Sequence, residues 1–158
     1  MYQRILVPLD GSATAERGLR EAIALCAGQP AKLLLLHVVD DYPLLIETSS
    51  MTGYDEMMKT LRQYGLEVLA KARKVCEDAS IHCETLLREV TGERVSDIIV
   101  GQAGQHACDL IVMGTHGRRG LQRLTLGSQA EAVARASPVP VLLVRLEPAA
   151  APGAGSCA

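Results

Sequence analysis

The sequence has no tryptophan and no phenylalanine, and its four aromatic residues are all tyrosine. Proteins that bind single-stranded nucleic acid stack successive bases on aromatic side chains, so four tyrosines are too few for that class. An excess of charge of one sign is lacking as well, because 16 Lys and Arg residues oppose 18 Asp and Glu residues. Without a positive field, neither a nucleic acid nor an anionic membrane surface is an expected partner.

Long hydrophobic runs are also missing. Runs such as Leu33 to Leu36 are far shorter than the ~18 residues that a transmembrane helix needs. The N-terminal segment reaches Pro8 and Asp10 before a signal-peptide core can form. We therefore expect no membrane partner and a cytoplasmic protein.

The five cysteines form no Cys-x-x-Cys pair, and their odd number is a poor framework for disulfides. This pattern suits a reducing compartment and predicts buried thiols. The alternative is a metal site built from Cys76, His82, Cys83 and Cys108, but the spacing matches no zinc pattern.

What the sequence does contain is apolar residues, which make up 48% of the 158 positions. That content and length predict one domain with a compact core. We expect the domain to span 1–146 and to be followed by a flexible Pro-, Ala- and Gly-rich tail over 147–158. Cys157 in this tail is either an exposed reactive thiol or an incidental cysteine.

Apolar runs and helical periodicity alternate along the chain. The runs predict strands at 5–9, 32–39, 81–88, 110–113 and 139–146. The periodicity predicts helices at 13–27, from about 57 to 76, from 91 to 103 and from 128 to 137, the last beginning with a capping box at Ser128. The predicted fold class is α/β, a single doubly wound open sheet of five mainly parallel strands with helices on both faces.

Glycines mark both ends of the loop that follows the fourth predicted strand. Gly114 and Gly117 lie where that strand releases the chain, and after nine intervening residues Gly127-Ser128 opens the next helix. Glycine lets the backbone approach a phosphate closely, and the N–H groups of a helix start point at the same oxygens. The spacing predicts phosphate binding. The alternative is that the glycines only shape turns and Ser128 only caps the helix.

Charge in the same loop also favours an anion. Arg118, Arg119 and Arg123 lie there, and no acidic residue occurs between Asp109 and Glu131. The loop has no lysine of the P-loop type, which argues against fast phosphoryl transfer.

Asp10, in the loop after the first predicted strand, is the candidate for the sugar. Its carboxylate suits a ribose hydroxyl or a metal ion, and the alternative is an ordinary turn residue.

From Tyr2 to Leu146 the chain resembles the universal stress protein family, in particular its ATP-binding branch. The matching segments are 5–12, 36–40, 109–117, 127–128 and 138–144. In that family, the pattern of Gly, two residues, Gly, nine residues and Gly-Ser marks members that bind ATP. This sequence has that pattern at Gly114, Gly117, Gly127 and Ser128.

The resemblance implies a fold like that of the adenine-nucleotide alpha hydrolases and a set of binding residues. Asp10 is expected near the ribose, and His116 is expected to contact ribose or phosphate mainly through its backbone. The residues expected around the adenine are Pro8, Val38 and Met113. The residues expected along the phosphates are Gly117, Gly127, Ser128 and Gln129. For Val38 the alternative is a core residue. Mg²⁺ or Mn²⁺ would bind through the phosphates.

No catalytic residue is assigned. No carboxylate is placed in the sequence to orient His116, and the scattered Ser96, Asp97 and His106 do not form a triad.

Members of the family dimerise through the last strand, and the resemblance implies a homodimer along Val139 to Val144. An apolar edge strand is a liability when it is unpaired, and Pro140 suits an edge position. A protein partner of unknown identity is also expected.

The implied function is that of an ATP-binding, dimeric stress-response regulator or signalling module. One alternative is a slow ATP hydrolase or nucleotidyl-transfer enzyme, at most a weak ATPase. Another is a pure dimerisation role without nucleotide affinity. The long connection from Asp40 to Tyr54 is hypothesised to shield the nucleotide or to bind a partner, or to have no role.

Overall fold

Strands and helices alternate throughout the computed structural model, which describes residues 1–41, 51–116 and 126–146. In chain order the elements are β1 Arg4–Pro8, α1 Ala13–Cys26, β2 Lys32–Asp40, α2 Met51–Asp78, β3 Cys83–Val90, α3 Val95–Gln105, β4 Leu110–Gly114, α4 Ser128–Ala136 and β5 Val141–Val144.

The five strands form one sheet in the order β3-β2-β1-β4-β5, and every pair is parallel. This arrangement confirms the predicted fold class. The chain proceeds outward from β1 to β3 on one side and from β4 to β5 on the other, so the strand order reverses between β1 and β4. In open parallel sheets, ligands bind outside the carboxyl ends of the strands at this reversal.

The core has two layers because alternate residues of a strand face opposite sides of the sheet. Ile5 and Val7 of β1 pack in the layer that contains α1 and α2, whereas Leu6 packs in the layer that contains α3 and α4. All three side chains are 0% exposed. The edge strand β3 has mostly exposed or half-buried residues instead. The central strands therefore form the rigid frame that positions their carboxyl ends.

Two helices begin at other residues than the sequence predicts. Helix α2 begins at Met51, so Tyr54 belongs to a helix and not to the long connection, of which 42–50 lie outside the described residues. The Tyr54 hydroxyl donates to Asp41 at 2.6 Å and so ties the first helical turns to the end of β2. Helix α3 begins at Val95, not at residue 91, because β3 continues to Val90 in register with β2.

Strand β5 is shorter than predicted and lies at the edge, as predicted. Its four residues pair with Ile111 to Gly114, so the length of β4 limits it. Before it, the Ser137 hydroxyl donates to the carbonyl of Val139 at 2.7 Å and fixes a turn.

The described cysteines are free, and Cys26, Cys76 and Cys108 are buried, as predicted. Burial raises the pKa of the Cys108 thiol to about 11. Burial and the neighbouring Cys83 raise the pKa of Cys76 to about 12. Cys76 and Cys108 lie in opposite layers of the core. The sheet therefore separates two of the four candidate ligands of the metal site that the sequence analysis considers.

None of the described helices combines the length and apolarity that crossing a membrane requires.

Candidate functional site

Three chain segments meet at the carboxyl edge of the sheet, where the strand order reverses. Strand β1 continues into the turn Asp10-Gly11-Ser12, and β4 continues into Thr115 and His116. The third segment is the start of α4 at Gly127, whose N–H donates to the carbonyl of Thr115 at 2.8 Å. The predicted site residues of β1, β4 and α4 are therefore brought to one edge.

The turn after β1 satisfies its own hydrogen bonds. The Asp10 carboxylate accepts from the N–H of Ser12 at 2.9 Å, and the Ser12 hydroxyl accepts from the N–H of Ala15 at 3.2 Å. Gly11 between them has a φ of +82°, which favours glycine. Ser12 is the N-cap of α1, so the first turn of this helix is capped by the protein itself.

Thr14 joins the two strand ends and was missed by the sequence reasoning. Its hydroxyl donates to the carbonyl of His116 and lies 3.1 Å from the Ser12 hydroxyl. The side chain is only 7% exposed. The one signal in the sequence is a second hydroxyl residue two positions after Ser12, a pattern that also occurs in ordinary helix starts.

Close packing accounts for two of the glycines that define the loop pattern. A Cβ on Gly114 would lie 2.8 Å from the carbonyl carbon and the Cβ of Thr14. A Cβ on Gly127 would lie 2.9 Å from the carbonyl oxygen of Thr115. Both distances are shorter than carbon contacts allow, so glycine is needed here for the three segments to meet. The two explanations for the loop glycines, turn shaping and the close approach of a ligand, are thus compatible with each other.

The predicted capping box at the start of α4 is wrong. Gly127 is the N-cap, Ser128 is already the first helical residue, and no side chain of the cap bonds to the helix. Glu131, the expected partner in the box, pairs with Arg135 at 2.9 Å instead.

The first N–H groups of a helix have no acceptor within the helix, and its dipole is positive at this end. Because Ser128 does not cap them, the start of α4 is suited to bind an anion.

The residues predicted around the adenine belong to the strand ends. Pro8 is the last residue of β1 and is half-buried. Val38 and Met113 pack against the same apolar cluster, in the layer of α3 and α4. Val38 is half-buried, so a partly open apolar surface remains beside the buried Met113.

Gly117 and the three loop arginines whose charge favours an anion, Arg118, Arg119 and Arg123, lie outside the described residues. Ser128 and Gln129 are exposed at the start of α4.

A buried carboxyl group at the same edge was also missed. Asp41 directly follows β2 and is 0% exposed. Its Oδ2 accepts from the Tyr54 hydroxyl, whereas its Oδ1 has no partner among the described residues. The hydrogen bond to Asp41 is the main cause that raises the pKa of Tyr54. The signal in the sequence is an Asp-Asp pair that ends an apolar strand.

His37 and Tyr64 support the β1 turn from the other side. His37 Nδ1 lies 2.7 Å from the carbonyl oxygen of Leu9, which only accepts, so this nitrogen carries the proton. The Tyr64 hydroxyl donates to the backbone carbonyl of Asp10 at 3.2 Å. Gly65 lets the α2 backbone approach, because a Cβ there would lie 2.5 Å from His37 Cδ2. The position of Asp10 is thus fixed by α2 as well as by β1.

Comparisons with known proteins agree with this architecture. A model of the universal stress protein family matches residues 1–145. Universal stress protein YxiE of Bacillus subtilis is 32% identical over 153 residues, which cover 92% of this chain and 100% of the relative. Universal stress protein MJ0577 of Methanocaldococcus jannaschii is 32% identical over 158 residues, which cover 92% of this chain and 96% of the relative.

Solved structures show the same fold. The structure of MJ0577 superimposes with a TM-score of 0.82 at 29% identity and covers 93% of this chain and 98% of that one. A universal stress protein in complex with cAMP superimposes with a TM-score of 0.63 at 24% identity, over 91% of this chain and 97% of that one. At 24% identity, the similarity to the structure with cAMP concerns the fold alone. On the strength of the family match and these relatives, the chain belongs to the universal stress protein family.

Proposed function

We propose that this universal stress protein binds an adenine nucleotide, ATP in particular, at the carboxyl edge of its sheet. The observation that carries the proposal is the start of α4, which lies against the end of β4 without a side-chain cap. Backbone N–H groups of this kind bind phosphate oxygens. The loop pattern that the chain shares with the ATP-binding branch of its family supports the same ligand.

In this proposal, the ends of β1, β2 and β4 and the start of α4 hold different parts of the nucleotide. Asp10, held by Ser12 and Tyr64, accepts hydrogen bonds from the ribose hydroxyls. Pro8, Val38 and Met113 contact the adenine. The phosphates extend to the start of α4, toward the residues that the family pattern assigns to them, namely His116, Gly117, Gly127, Ser128 and Gln129.

A divalent ion, Mg²⁺ or Mn²⁺, is proposed to bind mainly through the phosphates. In the described ranges, no group of three or more His, Cys, Asp or Glu side chains is arranged to hold a metal ion. Mg²⁺ commonly uses few protein ligands when phosphate oxygens and water complete its shell.

The output that we propose is regulation by a cytoplasmic homodimer. Strand β5 is the last of the sheet, and Leu142 on it is 36% exposed. Pairing of two β5 strands would remove the open edge that a single copy presents. ATP that stabilises the dimer would then change the surface that a partner protein recognises.

The experiment measures ATP affinity by calorimetry with magnesium present, for the wild type and Ser128→Asp. The new carboxylate lies at the start of α4, where it repels phosphate but stabilises the helix by about 0.3–1 kcal/mol. We expect an affinity loss of at least about tenfold, which corresponds to ~1.4 kcal/mol, without loss of thermal stability.

Ser80→Asp is the matched control, because it makes the same chemical change at the opposite edge of the sheet. Ser80 is exposed and has a φ of +58°, a conformation that Asp tolerates. This variant should bind ATP like the wild type. Absence of ATP binding by the wild type, or equal affinity of Ser128→Asp, would contradict the proposal. Sedimentation of the same samples shows whether the protein is a dimer, and phosphate release tests the alternative of a slow ATP hydrolase.

A further inference from the structure

A cavity of about 290 Å³ lies between α1 and α2, in the layer of the core that does not contain α4. Its apolar walls come from one stripe on each helix and from the end of β1: Ala15, Leu19, Val68, Ala72, Val75 and Leu9. The volume is close to the lower limit of small-molecule sites, which is about 300 Å³. The cavity is therefore large enough for a small ligand and separate from the start of α4.

The two helices are held apart, which explains why the chain does not fill this space itself. At one end, a Cβ on Gly11 would overlap the Tyr64 hydroxyl, so the turn and α2 are in direct contact there. Further along, Glu16 of α1 and Lys71 of α2 form an ion pair at 2.5 Å that spans the gap. Between these two links the walls are formed largely by small and branched apolar side chains. The space is partly open to solvent, so a ligand can enter it from the surface.

Among the described residues, the rim of the cavity carries two charges outside ion pairs, the negative charge of Glu67 and the positive charge of Arg20. Glu16 and Lys71 neutralise each other, and Glu67 accepts a hydrogen bond from the Gln63 amide at 3.0 Å. Arg20, one turn beyond Glu16 on α1, lines the same rim. Within the part of the chain that the structure describes, Arg20 has no ion-pair or hydrogen-bond partner. A guanidinium beside an apolar cavity matches a ligand with an anionic head and an apolar body.

We propose that this cavity binds a small monocarboxylate with an apolar body, such as a short acyl chain or an aromatic acid. The carboxylate pairs with Arg20 through two parallel N–H···O bonds, the geometry that guanidinium and carboxylate share. The apolar body lies against Leu19, Val68 and Ala72, where removal from water supplies the affinity. The cavity lies in the layer of the core opposite α4, and its end at Gly11 and Tyr64 adjoins the turn that contains Asp10.

The experiment titrates ¹³C-methyl-labelled protein with octanoate and, separately, with octan-1-ol, which has the same chain length without the charge. We expect saturable shifts of the methyl signals of Leu19, Val68 and Ala72 with octanoate in the millimolar range. In Arg20→Gln, octanoate affinity should fall about threefold to tenfold, and octanol affinity should not change. Arg73→Gln is the matched control, because Arg73 lies on the same helix as Val75 but does not line the cavity.

Three results would overturn the proposal. The first is the absence of methyl shifts with octanoate. The second is shifts confined to Val38 and Met113, which would place the probe at the nucleotide edge. The third is equal octanoate affinity of the wild type and Arg20→Gln.

Discussion

Helices α1 and α4 both begin at the carboxyl edge of the sheet, next to adjacent strand ends, but their first turns differ. In α1, the Ser12 hydroxyl accepts from the N–H of Ala15 and the Asp10 carboxylate accepts from the N–H of Ser12, so side chains of the protein bind two of the donors at this helix start. In α4, Gly127 is the cap and supplies no side chain. The comparison teaches that one helix start stabilises the fold, whereas the other keeps donors available for a ligand.

The largest effect is expected where the start of α1 meets the end of β4. Gly114→Ala would place a Cβ 2.8 Å from Thr14, so either the helix or the strand must shift. We expect a loss of about 3 kcal/mol in the free energy of unfolding, measured by urea denaturation. Gly101→Ala is the control, because a Cβ there has no neighbour within 4 Å. This exposed site in α3 should gain about 0.5–1 kcal/mol from the better helix propensity of alanine. Equal effects of the two substitutions would show that the close contact is not needed.

A smaller effect is expected from the hydroxyl of Thr14. Thr14→Val keeps the shape but removes the hydroxyl that donates to the part-buried carbonyl of His116, and removing one partner of such a hydrogen bond costs about 1–3 kcal/mol. We expect a loss of about 2 kcal/mol in urea denaturation. Thr14→Ser retains the hydroxyl and should therefore recover most of the stability that Thr14→Val loses. If Thr14→Ser is as unstable as Thr14→Val, the methyl group matters and the hydrogen bond does not.

The smallest effect tests the two helix starts directly. Ser12→Ala removes a side-chain cap and should cost about 1 kcal/mol. Ser128→Ala removes a hydroxyl that caps nothing and should cost at most a few tenths of a kcal/mol, within the usual range for an exposed residue. Thermal melts of both variants and the wild type measure the loss of stability that each substitution causes. Similar losses of stability in the two variants would mean that α4 is capped by Ser128 after all.

The central strands were predictable because they are buried on both faces, and an apolar run such as Leu33 to Leu36 indicates that environment without knowledge of the tertiary structure. The ends of β5 were not predictable, because the length of its partner β4 limits the pairing. The start of α2 also depends on a distant contact, the hydrogen bond from Tyr54 to Asp41. Periodicity reports burial along one element and contains no information on such contacts.

The residues of the candidate site also fall into a group that the sequence predicts and a group that it does not. Asp10 and Gly127 were found because turns and helix starts have local signatures. Thr14 and Asp41 were missed because their importance comes from a carbonyl 102 positions away and a tyrosine in the next helix, respectively. The N-cap of α4 is predicted at Ser128 instead of Gly127 because a serine and a glycine are both good N-caps, and the chain path selects between them.

The strand order has a consequence for synthesis on the ribosome. The first strand to be made, β1, ends up between β2 and β4, so its second neighbour is made roughly 100 residues later. At about 5–20 residues per second, the edge of β1 that faces β4 stays unpaired for about 5–20 s. Ile5, Leu6 and Val7 are fully buried in the finished protein, but the backbone beside them is open to other strands during this interval. The emerging chain is thus open to mispairing at this edge of β1 until β4 has been made.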